Sequence, residues 1–155
     1  AVATDHAPHP DHRKALPIAE AAPGMTGLET SFAAVHTELV ASGCWTLEQL
    51  VAAMSWVPAR ISGLDRWGHG GPVVVGAAAN LAVIDPFERG GGDPVALASR
   101  STNNPFAGRE LVGRVVHTFL RGRATWSSRA PAATLSHLGG PVHRRPTLRR
   151  WPTRP

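Results

Sequence analysis

The sequence lacks tyrosine altogether and holds one cysteine, Cys44, and one lysine, Lys14, in 155 residues. A lone cysteine excludes an internal disulfide framework, and on a helical segment it reads as a small buried hydrophobe rather than a nucleophile. No apolar run approaches the roughly 18 residues of a membrane-spanning helix. The start shows neither the basic segment nor the apolar stretch of a secretory signal, so the chain reads as soluble. It also lacks an initiator methionine: Ala1-Val2-Ala3-Thr4 opens directly into an apolar, strand-like run, as a cut edge would. Acidic residues are missing after Glu110, whereas nine of the sixteen basic residues follow it. The formal charge of +5 therefore belongs to the tail, where Arg144, Arg145, Arg149, Arg150 and Arg154 alternate with Pro141, Pro146, Pro152 and Pro155. Such a segment cannot bury enough apolar surface to offset chain entropy, and it reads as a solvated, disordered end rather than a nucleic-acid arm.

What is present is enough for a core. The hydrophobic content is 43%, which argues for one ordinary folded domain over most of the length. Pro8 and Pro10 make the run from His6 to His12 a loop leaving the first strand. Thr26 and Glu29 form a Thr-x-x-Glu capping box before Leu28, Phe32, Val35 and Leu39 at helical spacing, with Gly43 placed to end that helix. A second helix is expected from Thr46, capped with Gln49 and carrying Leu47, Leu50, Val51 and Met54 on one face. Pro58 and Gly63 bracket a short third helix. Beyond Asp65 the pattern changes to glycine-rich turns and short apolar runs. Strands are expected over Pro72–Val75, Asn80–Ile84 and Gly113–Leu120, and Arg121-Gly122 turns the last of these into Arg123–Trp126. Strand, loop, helices and then several strands do not make a self-contained small fold. They fit the end of a barrel followed by a β-rich appendage.

A carboxylate where a buried strand opens into a loop is a common place for catalytic groups, because the strand is rigid and the loop exposes the side chain. Asp5 stands at such a place, although by position alone capping the turn into Ala7-Pro8 is the plainer role. His6 and His9 add imidazoles, which suit zinc, yet a spacing of three broken by proline is not a helical ligand pair. The spacing also permits a division of labour, with Asp5 contacting metal or taking a proton while His9 binds an anionic group. His12, between Asp11 and Arg13, reads as solvated.

The string TDHAPH at Thr4–His9, followed by EAAPGMTGLET at Glu20–Thr30, resembles the barrel end of bacterial dihydroorotases of the long, type I class. SRSTNNPFAGRELVGRV at Ser99–Val115, PARISGL at Pro58–Leu64 and NLAVIDP at Asn80–Pro86 are similar to further segments of that family, so the resemblance covers roughly residues 1–126. Hydantoinase and allantoinase relatives place other residues after the Asp-His pair. The fold class implied is α/β: the C-terminal end of a TIM-barrel amidohydrolase, its last strand plus helices, over 1–64, and a small β-rich, sandwich-type segment over 65–126. An Arg/Pro-rich tail fills 127–155.

The resemblance implies a cytoplasmic, zinc-dependent hydrolase of pyrimidine biosynthesis that interconverts N-carbamoyl-L-aspartate and dihydroorotate. Asp5 matches the aspartate that contacts metal and shuttles the proton, His9 the histidine that holds the substrate carboxylate, and Pro23 and Gly24 the loop backbone that meets the substrate. Metal lowers the pKa of water, and a carboxylate can pass the proton to the departing amide nitrogen. A homodimer and an association with aspartate carbamoyltransferase are the partners it suggests. The family's His-x-His pair, carboxylated lysine and two later histidines have no counterpart here, and Lys14 lies in the loop downstream of Asp5. One aspartate cannot hold one or two zinc ions that each need about three protein ligands, so this polypeptide alone is expected to be inactive. The alternatives are another cyclic amidohydrolase, hydantoinase- or allantoinase-like, and a non-catalytic scaffold.

Other residues read as structural. His36 and His117 stand among apolar neighbours. Gly68–Gly71 with His69 lacks the Gly-Lys-Ser/Thr ending of a phosphate loop and reads as a turn, and Gly90-Gly91-Gly92 reads as a connection. Trp45, Trp56 and Trp67 are assigned to helix packing and loop anchoring.

Overall fold

The computed structural model describes residues 1–91 and 97–128. The tail expected to be disordered lies outside these from residue 129 onward, as does Gly92 of the triple-glycine connection.

Residues 1–5 form no ladder among the described residues, against the strand expected at Ala1–Thr4. Extended backbone becomes a strand only by pairing. Here Val2 N–H donates to the Ala53 carbonyl at 2.9 Å, and the first sheet-type contact is a single parallel bridge between His6 and Met25. After Pro8 and Pro10 the loop makes one helical turn, α1 (Asp11–Lys14), beginning where proline no longer blocks it.

α2 starts at Ser31, not Thr26, and the Thr26/Glu29 capping box does not form. Both side chains are taken by a distant segment. Thr26 Oγ1 donates to the Asn103 carbonyl at 3.0 Å, and the Glu29 carboxylate accepts from Ala98 N–H at 2.8 Å and Ser99 N–H at 3.0 Å. α2 (Ser31–Val35) widens into a π-helical stretch, His36–Val40, and ends near Gly43 in the left-handed region, as expected.

The Thr46 capping box does form: Gln49 N–H donates to Thr46 Oγ1 at 3.2 Å, and Thr46 N–H donates to Gln49 Oε1 at 2.8 Å. The second and third helices expected after it are one body. α3 (Leu47–Val51), a π-helical stretch (Ala52–Trp56) and α4 (Val57–Ile61) run without a break. Pro58 is tolerated because the wider π turn precedes it and frees the position its ring would otherwise block. Leu50 on this helix is fully buried, which stabilises the fold by about 1.5–3 kcal/mol.

Among the described residues the sheet has three antiparallel strands in the order β1 (Leu81–Gly91), β2 (Glu110–Leu120), β3 (Arg123–Ser127). β1 extends well past the expected Ile84. It is interrupted at Pro86, where pairing slips between Asp85 and Arg89. Proline cannot donate to a ladder, so a bulge is its natural place in a strand. The Asp85 carboxylate secures the bulge by accepting from Phe87 N–H at 3.0 Å and Glu88 N–H at 3.1 Å. Arg121 and Gly122 both take positive φ, 50° and 79°, as a tight hairpin requires.

The helices dock on β2 through its glycine. Gly113 has φ 91°, and a Cβ there would lie 3.0 Å from His36 Cγ and 3.1 Å from Phe32 Cε1. Beside it, Thr37 Oγ1 accepts from Val112 N–H at 2.7 Å. His36 is buried, as expected of a structural residue, and its Nδ1 has no hydrogen-bond partner among the described residues.

Three further expectations fail. Pro72–Val75 is not a strand: the run is exposed, with Val75 fully so, and no strand among the described residues pairs with it. Cys44 is exposed, since the chain leaves its helix before reaching it. Trp67 is largely exposed on the one-turn 3-10 helix Asp65–Trp67 and anchors no loop.

Candidate functional site

Asp5 is exposed and sits at φ 44°. Aspartate tolerates this left-handed conformation better than most side chains. The kink lies between Thr4 and the His6–Met25 bridge, so the carboxylate is carried on a backbone fixed on one side by pairing.

Two close approaches hold the surrounding loops together. Gly27 lies against the segment before Asp5, where a Cβ would be 3.0 Å from the Thr4 carbonyl oxygen. His6 Nδ1 accepts from Gly27 N–H at 3.1 Å and Leu28 N–H at 3.2 Å. That lone pair is committed to backbone, so His6 works as a clasp on residues 27–28 rather than as a ligand through this nitrogen.

Gly24 meets His9. With φ 103°, its absent Cβ would lie 2.6 Å from Ala7 Cβ and 3.6 Å from His9 Cδ2, so only glycine lets this backbone pass so close to the loop. Pro23 and Gly24 are exposed, and the His9 ring is half-buried beside them. The structure therefore places Gly24 beside His9, with Asp5 at the other end of the same short loop. His12 is exposed on α1, consistent with solvation.

Sequence reasoning missed the groups that pin this loop. Lys14 Nζ donates to the Ala22 carbonyl at 2.6 Å and the Gly24 carbonyl at 2.9 Å. Asn103 Nδ2 donates to the same Gly24 carbonyl at 2.7 Å. Ser101, itself buried, donates from Oγ to the His9 carbonyl at 2.9 Å, and Thr102 Oγ1 donates to Asp11 Oδ1 at 2.7 Å. With the Glu29 and Thr26 bonds, residues 98–103 form a strap across the site loops. The readable signal was the Ser-Arg-Ser-Thr-Asn-Asn run itself, since short polar side chains are the ones that satisfy loop backbone.

A metal does not fit these residues alone. Among the described residues no three of His, Cys, Asp and Glu converge as a metal-binding group, whereas a structural or catalytic zinc needs about three protein ligands. An open recess of about 380 Å³ lies elsewhere, lined by Met54, Pro58, Leu64, His69, Asn80 and Phe119 among others, with no carboxylate in its wall. No helix among the described residues is long and apolar enough to cross a membrane.

No protein-family model matches the chain. Among solved structures it is similar to a D-hydantoinase (dihydropyrimidinase) from Thermus sp., with a TM-score of 0.71 and 27% identity over 79% of this chain and 27% of that one. A D-hydantoinase from Bacillus sp. AR9 aligns with a TM-score of 0.62 at 23% identity, again over 79% of this chain and 27% of the other. The fold is that of part of a hydantoinase-type amidohydrolase. Among curated sequences it is 49% identical to a dihydroorotase of Streptomyces coelicolor over 124 residues, which is 80% of this chain and 28% of that protein. It is 44% identical to a Bacillus caldolyticus dihydroorotase over 126 residues, 81% of this chain and 28% of the relative. A Mycobacterium tuberculosis dihydroorotase is 43% identical over 80% of this chain and 28% of its own length. The chain is thus homologous to a segment of the bacterial dihydroorotases, and it spans little more than a quarter of the length of these relatives.

Proposed function

We propose that this chain is the C-terminal portion of a dihydroorotase and contributes one side of a site that interconverts N-carbamoyl-L-aspartate and dihydroorotate. The observation that carries the reading is the Asp5–His9 loop packed on Gly24 within a chain 49% identical to a dihydroorotase over 124 residues. In this reading the Asp5 carboxylate holds a proton and delivers it to the amide nitrogen that leaves the ring. His9 binds the substrate carboxylate, a charge that a neutral ring substrate would not offer. The backbone of Pro23 and Gly24 lines the ring edge, where a side chain at residue 24 would intrude.

The cofactor that accompanies this reading is zinc, one or two ions. Asp5 is the residue this chain offers to it, and the remaining ligands belong to polypeptide outside the chain, so the chain alone is inactive. Residues 1–64 then complete a barrel, and residues 65–126 supply one sheet of a sandwich whose other sheet comes from elsewhere in the polypeptide. Cytoplasmic pyrimidine synthesis, a homodimer and an aspartate carbamoyltransferase partner belong to the same reading. The similarity to D-hydantoinase at a TM-score of 0.71 favours, as a second reading, a cyclic amidohydrolase acting on a neutral ring.

The test uses the full-length protein that carries this segment. Asp5→Asn should lower dihydroorotate turnover by roughly a thousandfold, the scale of losing a positioned proton-transfer group. His9→Ala should raise KM for dihydroorotate at least tenfold. Retention of dihydroorotate turnover by Asp5→Asn would refute the proposal, and efficient hydantoin hydrolysis untouched by His9→Ala would establish the second reading in its place.

A further inference from the structure

The Gly24 carbonyl accepts two hydrogen bonds, from one side chain that precedes it in the chain and one that follows it. Lys14 reaches it from α1 at 2.9 Å, ten residues earlier in the chain, and Asn103 from the strap at 2.7 Å, 79 residues later. A carbonyl oxygen has two lone pairs, so this one is fully committed, and one of its donors is a cation. The peptide plane between Gly24 and Met25 is consequently fixed in rotation, and with it the Gly24 Cα, on which a Cβ would lie 2.6 Å from Ala7 Cβ and 3.6 Å from His9 Cδ2. Lys14 also grips the Ala22 carbonyl at 2.6 Å, so the backbone on both sides of Pro23 is tied to one ammonium group. Lys14 is the sole lysine of the chain.

We propose that Lys14 and Asn103 are positioning residues that set the Gly24 peptide against His9, and so determine how well the substrate is held. The inference rests on the dihydroorotase reading above and extends it to two residues that touch neither substrate nor metal. Ser101 acts in the same direction from the other side, through the His9 carbonyl at 2.9 Å.

A group that orients the binding surface without entering the chemistry changes KM and leaves kcat nearly alone. In the full-length protein, Lys14→Met and Asn103→Ala should each raise KM for dihydroorotate about tenfold while kcat stays within about threefold, as expected for a displaced binding surface. The double variant should be little worse than either single one, since both act on one carbonyl. Lys14→Arg, which keeps a cationic donor, should recover much of the lost affinity. A thermal melt confirms that each variant is folded. Should Asn103→Ala fail to fold, Asn103→Asp keeps the size and removes the donor. Wild-type KM in folded Lys14→Met and Asn103→Ala or Asn103→Asp overturns the inference, as does loss confined to kcat. Asp5→Asn, measured alongside, separates the two claims. If Asp5→Asn is inactive and the positioning variants behave as wild type, the inference fails while the dihydroorotase reading stands. If Asp5→Asn remains active, the reading itself has failed.

Discussion

Replacing Gly24 by alanine puts the geometry of the site to its sharpest test. The new Cβ would fall 2.6 Å from Ala7 Cβ, and ordinary contact begins near 3.4 Å, so one of the two must retreat by about 0.8 Å. The backbone there has φ 103°, which for an L-residue adds about 1–2 kcal/mol, and forced overpacking adds about 1–3 kcal/mol. Opposing a shift are the Lys14 and Asn103 bonds to the Gly24 carbonyl, together worth about 2–4.5 kcal/mol. The terms are comparable, and residue 24 is exposed, so the loop yields before the fold does. A displacement approaching 1 Å at a binding surface costs about a hundredfold. Gly24→Ala in the full-length protein should therefore lose about two orders of magnitude in kcat/KM for dihydroorotate with a nearly unchanged melting temperature. Gly43→Ala is the control: φ is 81° but nothing lies within 4 Å of its Cβ, so it should lose about 1 kcal/mol of stability and no activity. Activity of Gly24→Ala within threefold of wild type would refute the argument that this backbone needs glycine to form the site.

Two other substitutions probe the scaffold. Gly113→Ala drives a Cβ to 3.0 Å from His36 Cγ at φ 91°, and urea denaturation should show a loss of about 2–4 kcal/mol through strain and overpacking at the helix–sheet contact. Thr46→Ala removes the cap accepting from Gln49 N–H. It should cost about 1 kcal/mol, with hydrogen exchange at the Gln49 amide accelerated.

The parts of this fold that could be read from sequence are those decided by neighbours in the chain. The Thr46–Gln49 cap closes within four residues, and Arg121-Gly122 makes its hairpin by its own backbone angles. The Asp5–His9 loop was readable because proline forbids a helix there. What could not be read was decided at a distance. Thr26 and Glu29 carry a sound capping pattern, but their oxygens are claimed by Asn103 and by Ala98 and Ser99, 69 to 77 residues away. Lys14 could be placed in the loop but given no role for the same reason, since its carbonyl partners appear only when residues 22–24 fold back over α1. The Pro72–Val75 run and the Ala1–Thr4 segment have strand composition, yet composition cannot provide the partner that makes a strand. Helix continuity through Pro58 depended on π turns, which leave no mark in apolar periodicity.

The strap from residue 98 to residue 103 also sets an order of events during synthesis. Ser101 closes on the His9 carbonyl across 92 residues, and a ribosome adding about 5–20 residues per second takes roughly 5 to 18 s to cover that distance. Through that interval the Asp5 loop is complete in sequence and has the partners of its His6 and Lys14 bonds, but lacks the restraints that residues 98–103 supply. A nascent chain that stalls before Ser101 therefore contains Asp5, His9, Pro23 and Gly24 and still leaves the site loop without its strap.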